Sequence, residues 1–395
     1  MKKILMICYR FPYPLIGGPQ IRVYHIGRSL SEKYQVDLLA LNEGKVNHRY
    51  LRDLEKTFNK IVSFSFDPIR FKLNAVRGLL SKEPLETYYF YFGKVRRWIA
   101  DYYHEYDLVF CVDVRMAKYL KALKTRKVID LMDATSLYYE RAARRAPKLW
   151  KFIYGVESKR LLKYELKMIR EFDKAFIIST SDKRYLANCC QLVSDSLIVL
   201  PNGVNEDLFS RLDSFKKQEE NYLVFLGKMS YFPNVDAVNY FVRKVFPLIK
   251  EQIKDIKFVI VGVNPAKEVV RLGKMEGIEV TGFVNDPYKY LAEAKVVVAP
   301  LKVAAGIQNK ILEAMALGKT VVTTSLGAAG IAGGVDGKHF VIADTEEEMA
   351  SKILNLINNK SQRENIGRNA RRLVEEKYRW SSVKKILLKE IEQSI

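Results

Sequence analysis

Short apolar runs recur along this chain with room for one helix between most neighbouring pairs, and that alternation restricts it to parallel-sheet folds. In the first half the runs are Ile4–Cys8, Gln35–Leu41, Lys60–Phe66, Leu108–Val112, Val128–Met132, Lys174–Ser179 and Leu197–Leu200. Unbroken apolar stretches of this length read as strands buried on both faces, the condition of a parallel sheet covered by helices. Helix-patterned stretches such as Gln20–Lys33 and Lys151–Arg170 lie between them. The second half repeats the logic. Tyr222–Leu226, Phe258–Val261, Ile278–Thr281, Val296–Ala299, Thr320–Thr324 and His339–Ile342 are its strands. Val235–Ile253, Pro265–Lys274, Pro287–Ala294, Asn309–Leu317 and Thr345–Asn358 are its helices. The class is α/β, with two doubly wound sheets in tandem and no sequence repeat.

At 395 residues the chain exceeds one comfortable core, so two domains are expected. The boundary falls after Pro201-Asn202-Gly203-Val204-Asn205. The following stretch, Asp207–Asn221, carries seven charged residues against four large apolar ones and suits a connector. No apolar run approaches the roughly 18–20 residues of a membrane span. The opening Met1–Cys8 is too short before Tyr9-Arg10-Phe11-Pro12 for a signal peptide and reads as a buried first strand. Cys8, Cys111, Cys189 and Cys190 lack metal-ligand spacing, and reduced thiols in a cytoplasmic protein are expected.

The segment Gly306-Ile307-Gln308-Asn309-Lys310-Ile311-Leu312-Glu313-Ala314-Met315-Ala316-Leu317-Gly318 carries the chemistry. Glycine lets the backbone pass close to a ligand, and amides opening the next helix suit phosphate. Lys310 adds a positive charge there. Glu313 follows one turn later, where its carboxylate can accept two hydroxyl hydrogens from a sugar ring. An ordinary loop–helix–strand with a surface glutamate would have the same composition.

The segment resembles the donor-site signature of the retaining GT-B glycosyltransferases (glycosyltransferase family 4, glycosyl transferases group 1). Gly306, Glu313 through Gly318 and Val321-Val322 match its pattern, and Gly-Ile-Gln-Asn-Lys is the form typical of the exopolysaccharide-associated branch. The resemblance implies two Rossmann-like domains facing each other across a cleft. Residues 1–203 would bind the acceptor, with a last helix near 380–395 packing back on them, and 204–379 would bind a nucleotide-sugar donor. It also implies that Gly306, Ile307, Gln308, Asn309, Lys310 and Glu313 hold the donor. Phe225-Leu226-Gly227-Lys228 resembles the family's Gly-Lys contact to the diphosphate, through Gly227 and Lys228. Gly262, Phe283 and Val284 match positions near the base and ribose. The family's second lysine would fall at Pro233 or Asn234 and is missing; Lys310 is expected to supply that charge. Ala305 stands where relatives have a first glutamate gripping the transferred sugar, so sugar selection must come from elsewhere. Asn205 replaces the usual aspartate after the boundary.

In the first half, Gly17 and Gly18 open a helix after a proline-stiffened loop, Phe11–Ile16, and by resemblance approach the donor phosphates. Arg22 and His25 resemble the family's Arg-x-x-His and are expected at the acceptor, although His25 could instead pin the loop. Asp133 and Ser136 follow a strand, where relatives carry a histidine near the transferred sugar. Asp133 serves equally as an N-cap for the next helix. The implied mechanism is retaining, metal-independent transfer with no cofactor beyond the nucleotide-diphosphate sugar. Asp133, Lys228, Lys310 and Glu313 carry it, and the two lysines offset charge on the leaving diphosphate.

The net charge is +21, and residues 1–200 hold +16 of it, with 37 Lys+Arg against 21 Asp+Glu. Residues 67–106 interleave Arg70, Lys72, Arg77, Lys82, Lys94, Arg96 and Arg97 with Phe71, Tyr88–Phe92 and Trp98. A second basic cluster runs from Arg141 to Lys167. Such segments suit peripheral contact with an anionic membrane bearing a lipid-linked acceptor, at the inner face of the cell membrane; a solvated helix face would read the same. Nothing resembles a nucleic-acid recognition helix or stacking motif, so a glycosyltransferase of envelope or exopolysaccharide assembly leads. A nucleotide-sugar epimerase or hydrolase would differ in turning over without an acceptor, and a nucleic-acid binder in a salt-dependent shift with random DNA.

Overall fold

The computed structural model describes residues 1–191, 195–211 and 219–395. They form two compact units, one of Met1–Pro201 with Val383–Ile395 and one of Asn202–Ser382. The connector opens with the short helix Asp207–Arg211, and its residues 212–218 lie outside the described residues.

The first unit holds a seven-stranded parallel sheet. Its strands are β1 (Lys3–Cys8), β2 (Gln35–Glu43), β3 (Lys60–Phe66), β4 (Leu108–Val112), β5 (Lys127–Asp130), β6 (Lys174–Ile177) and β7 (Leu197–Val199), in the order β3-β2-β1-β4-β5-β6-β7. β4 is buried at every position and β1 at all but its first, because helices cover both faces. The chain builds outward from β1 to β3, then restarts at β4 on the other side of β1. The loops after β1 and β4 therefore diverge and leave a crevice at the carboxyl edge of the sheet.

The second unit repeats the plan with six parallel strands: β8 (Glu220–Leu226), β9 (Lys257–Val261), β10 (Ile278–Gly282), β11 (Ala294–Ala299), β12 (Val321–Thr323) and β13 (Val341–Ile342). Their order is β10-β9-β8-β11-β12-β13, so the direction reverses between β8 and β11. The loops that follow those two strands carry Gly227-Lys228 and Gly306–Gln308.

Three elements differ from the sequence-based expectation. The single helix over 235–253 is instead Phe232–Tyr240, a π-helical turn at Phe241–Val245, and Phe246–Gln252. Pro247 has no N–H to donate, and the wider turn ahead of it absorbs that loss. The strand expected over 339–342 shrinks to Val341–Ile342. An 18-residue helix, Lys360–Lys377, occupies a stretch to which the sequence assigned no element. Its buried stripe is Arg363, Ile366, Gly367, Ala370, Leu373 and Val374, a helical spacing hidden by polar neighbours.

The aromatic residues expected to meet a bilayer are a correction. Phe71, Phe90 and Phe92 are buried in the core of the first unit, with Tyr89, Tyr91 and Trp98 packed against it. Phe92 stacks on Phe66 at 3.8 Å between centroids, and Phe71 meets Phe92 edge-on at 4.8 Å. Edge and stacked pairs of this kind stabilise a core beyond simple area burial, and burial keeps Phe71, Phe90 and Phe92 from a membrane.

Candidate functional site

In the second unit, Gly227 follows β8 and Gly262 follows β9. Their backbones touch: a Cβ built on Gly262, at φ +156°, would lie 1.7 Å from the Gly227 carbonyl oxygen. Only glycine permits that approach. The Gly227 amide donates to the Val261 carbonyl at 3.0 Å, and Met229 donates to Val263 at 2.9 Å. These bonds hold the loop after β8 onto the loop after β9.

Asn234 joins this loop to the next. It is buried, its Nδ2 donates to the Lys228 carbonyl at 2.9 Å, and its Oδ1 accepts from Lys310 Nζ at 2.9 Å. Lys310 also lies 5.3 Å from the centroid of the Phe225 ring. Asn234 thus ties the loop after β8 to a lysine in the first turn of the helix Asn309–Ala316. Lys228 itself is exposed.

Gly306, at φ +65°, turns the chain into the helix Asn309–Ala316, whose buried face Ile311, Leu312, Ala314, Met315 and Ala316 fixes it against the core. The residue ahead of that helix, Gln308, forms no side-chain cap; its Nε2 donates back to the Ala305 carbonyl at 3.0 Å. Ile307 is buried, and Asn309 Oδ1 accepts from Asn202 Nδ2 at 2.9 Å. Glu313 lies half-buried one turn beyond Lys310. Burial pushes its carboxyl up to about 7, against the pull of Lys310, and brings Lys310 down to about 8, against the pull of Glu313. The Glu313 charge, then burial, pushes the Tyr288 phenol well above its ordinary range, which places Tyr288 beside Glu313. Sequence reasoning missed Tyr288; its only signal was its place in the helix after Asp286-Pro287. Phe283, exposed, and Val284, half-buried, follow β10, the edge strand, three places from β11.

In the first unit, Gly17 takes φ +112° and opens the helix Gly18–Ser31 with Pro19 in its first turn. Arg22 is a correction. It is fully buried, and its guanidinium forks onto Asp130, with Nε 2.7 Å from Oδ2 and Nη2 2.8 Å from Oδ1. Its Nη1 adds a bond to the Pro201 carbonyl at 3.3 Å. A fully buried bidentate pair is framework, and no acceptor can reach it. His25 is half-buried, with the Tyr24 ring edge-on at 5.3 Å.

Ser136 is a second correction. It is buried, and its hydroxyl and amide both donate to Glu165, at 2.5 and 3.1 Å. Its hydroxyl proton is committed, and burial keeps it from an acceptor. Asp133 stands just beyond β5 and does not cap the helix Thr135–Ala143: the cap position is Ala134, and Asp133 accepts from the Thr135 hydroxyl at 3.4 Å. Burial, reinforced by the charges of Asp182 and Asp113, pushes Asp133 up to about 7. Beside it lies a group that sequence reasoning passed over. Arg115 binds Asp113 at 2.5 Å and Glu86 at 2.8 Å, over the Tyr9 ring at 5.0 Å. Asp113 and Met132 take φ +74° and +65° at the ends of β4 and β5, unusual for residues with a Cβ. The two residues stand at the carboxyl edge of adjacent strands.

The raised carboxyls have a stability consequence. Burial holds Glu165 at about 8, while Asp133 and Glu313 sit at about 7. The native state keeps these protons over a range where the unfolded chain has lost them, so their contribution is full below pH 4 and vanishes as pH rises through about 7–8. The melting temperature is expected to be higher at pH 5.5 than at pH 8.5. Glu165→Gln should flatten that slope by an amount on the order of 1–3 kcal/mol; parallel profiles for variant and wild type would contradict the assignment.

Among the described residues no group of His, Cys, Asp and Glu is placed to hold a metal ion, and no helix is long and apolar enough to cross a membrane.

Residues 220–359 match the model for glycosyl transferases group 1, so the second unit carries a domain of that kind. An uncharacterized 44.6 kDa protein in the cps region of Klebsiella pneumoniae is 24% identical over 403 residues, covering 99% of this chain and all of that protein. The sucrose-phosphate synthase of Thermosynechococcus elongatus superposes with a TM-score of 0.72 at 15% identity, covering 100% of this chain and 99% of that one. HepE of Anabaena, solved in complex with UDP and glucose, superposes at 0.69 with 16% identity, covering 99% and 100%. These likenesses establish the GT-B fold, two parallel-sheet α/β domains.

Proposed function

We propose that the protein is a retaining glycosyltransferase that moves a sugar from a nucleoside-diphosphate sugar to a hydroxyl of a glycan or lipid-linked acceptor. The reading places it as a peripheral protein at the inner face of the cell membrane, in envelope or exopolysaccharide assembly. The observation that carries it is the convergence of Lys310, Asn234 and Glu313 at the switch point of the second sheet. There a cation in the first turn of a helix, the uncapped start of that helix and a carboxylate lie within one turn of each other. That group lies inside the stretch that matches glycosyl transferases group 1. The relative in a cps region and the neighbour that binds UDP and glucose support the substrate class.

On this reading the β-phosphate rests against Lys310, Lys228 and the first amides of the helix Asn309–Ala316, while Glu313 accepts two ribose hydroxyls. As the bond from C1 to the diphosphate oxygen breaks, negative charge grows on that oxygen, and the cations and amides offset it. The acceptor oxygen bonds to C1 from the same face, and its proton passes to the departing phosphate. The co-substrate supplies all the chemistry, with neither metal nor cofactor required. Asp133, protonated near neutral pH, suits a hydrogen-bond donor to the sugar or acceptor.

A thermal-shift screen against nucleoside diphosphates and their sugars tests the reading. One nucleotide series should raise the melting temperature, and Glu313→Ala should cut that shift by more than half. No shift with any series would overturn it.

A further inference from the structure

The helix Pro68–Gly78 in the first unit turns an apolar strip to solvent. Ile69 is 64% exposed, Leu73 and Val76 59% each, and Leu80, just past the helix, fully exposed. Ile69, Leu73 and Val76 stand at i, i+4 and i+7, within about 60° of arc on one face, and Leu80 adds exposed apolar surface just past the helix end. The opposite face, Phe71, Asn74 and Gly78, is buried against the unit. So the helix is amphipathic: one side seats it in the protein, and the other offers apolar surface that none of the described residues covers.

Charge surrounds the strip. Exposed Lys72 flanks one side, exposed Arg70 and Arg77 the other, and Lys82 follows. Residues 67–82 hold four Lys and Arg against one Asp, and that Asp67 is engaged in capping the helix through the Ile69 amide at 2.8 Å. A second exposed cluster, Leu149, Trp150 and Phe152, opens the helix Lys148–Glu171, with exposed Lys148 and Lys151 among them.

The short helix Leu85–Tyr89 links the two. A Cβ on Gly78 would lie 2.9 Å from the Tyr88 ring, and the Leu85 amide donates to Glu157 of the long helix at 2.7 Å. Glu86 accepts from Tyr139 at 2.9 Å, whose ring touches Tyr154, which in turn touches Trp150.

We propose that this surface docks the protein on an anionic lipid bilayer, with Ile69, Leu73, Val76 and Leu80 entering the interface while the flanking cations engage the headgroups. The inference deepens the membrane-associated part of the function proposed above and rests on it only there. The chemistry favours lipid over a protein partner. Protein interfaces are depleted of lysine at their centre, whereas long cationic stems spread over a headgroup layer and keep their ends in water. An apolar strip rimmed by cations on both sides is the pattern of a helix lying in the plane of an anionic interface.

The test is co-sedimentation of the full chain, without nucleotide, with vesicles of phosphatidylglycerol and phosphatidylethanolamine or of phosphatidylcholine alone. Wild type should bind the anionic vesicles at least about tenfold more tightly than the zwitterionic ones. Leu73→Glu/Leu80→Glu, both at exposed positions, should lose binding by about tenfold or more, and Arg70→Glu/Arg77→Glu should abolish the preference for anionic lipid. Unchanged vesicle binding in the leucine variant would overturn the proposal. A wild-type dimer that this variant splits, with no vesicle binding by either, would assign the face to a second copy of the chain and also overturn it. The leucine variant should keep its wild-type melting temperature and nucleotide-induced shift, which separates failure of docking from failure of the donor site.

Discussion

Lys310→Ala is expected to lower kcat/KM for sugar transfer by about a thousandfold, the range seen when one preorganised charge or donor is removed from a developing anion. The structure explains why this lysine should matter more than the exposed Lys228. Its Nζ is held by Asn234 at 2.9 Å, so it is aimed before the ligand arrives. Asn234→Ala leaves the cation in place but frees it to wander, and a loss of about tenfold is expected, mostly as weaker donor binding. Equal losses in the two variants would contradict the division of roles. The pair also predicts a bell-shaped pH profile. If Glu313 binds ribose as proposed, it does so best as the carboxylate, and kcat/KM should fall as pH drops below about 7. Lys310 must carry its proton, so the rate should fall as pH rises above about 8. In Glu313→Gln the acid limb should disappear while the alkaline limb moves to lower pH, because the carboxylate no longer supports the lysine charge.

Gly262→Ala is expected to cost the second unit about 2–4 kcal/mol and to reduce donor affinity by about a hundredfold. The added methyl would stand 1.7 Å from the Gly227 carbonyl, a backbone atom that no rotamer change can move aside. The loop carrying Gly227 and Lys228 must shift, and Asn234, bonded to the Lys228 carbonyl, shifts with it. Gly227→Ala is the instructive comparison. Its methyl would meet the Asn234 side chain at 2.6 Å, an atom group that can turn away. Its stability should fall less, while Lys310 loses its anchor. The measurement is a melting curve for each variant, with and without the nucleotide identified in the screen. A Gly262→Ala melting temperature within about 2 °C of wild type would show that the close approach is dispensable.

How far the sequence could be read depended on whether a residue's role is local or borne by partners far along the chain. The strands were legible because two-sided burial writes itself as unbroken apolar runs, as in Leu108–Val112. The helix Lys360–Lys377 was not, because its mean composition is polar and only the spacing of six residues reports its buried face. Gly306, Lys310 and Glu313 sit within one short segment, so their proximity follows from helix geometry alone. Arg22 and Ser136 show the opposite case. A motif gives their positions, but the partners that bury them, Asp130 and Glu165, lie 108 and 29 residues away. The aromatic run Tyr88–Phe92 misled for a related reason: composition cannot tell rings that form a core from rings that face a bilayer, and here the exposed strip is aliphatic.

The membership of residues 383–395 in the first unit bears on how the chain is made. Lys174 at the edge of β6 bonds Glu390 at 2.6 Å, and Arg126 bonds the Ser394 carbonyl at 3.2 Å. A ribosome releases the first two hundred residues long before those partners exist. The second unit is contiguous and has all its own residues in hand earlier, so the usual order of domain completion during synthesis is inverted. The nascent first unit waits with an uncovered flank, and a message truncated just after residue 382 yields a protein with a finished second unit and an unfinished first.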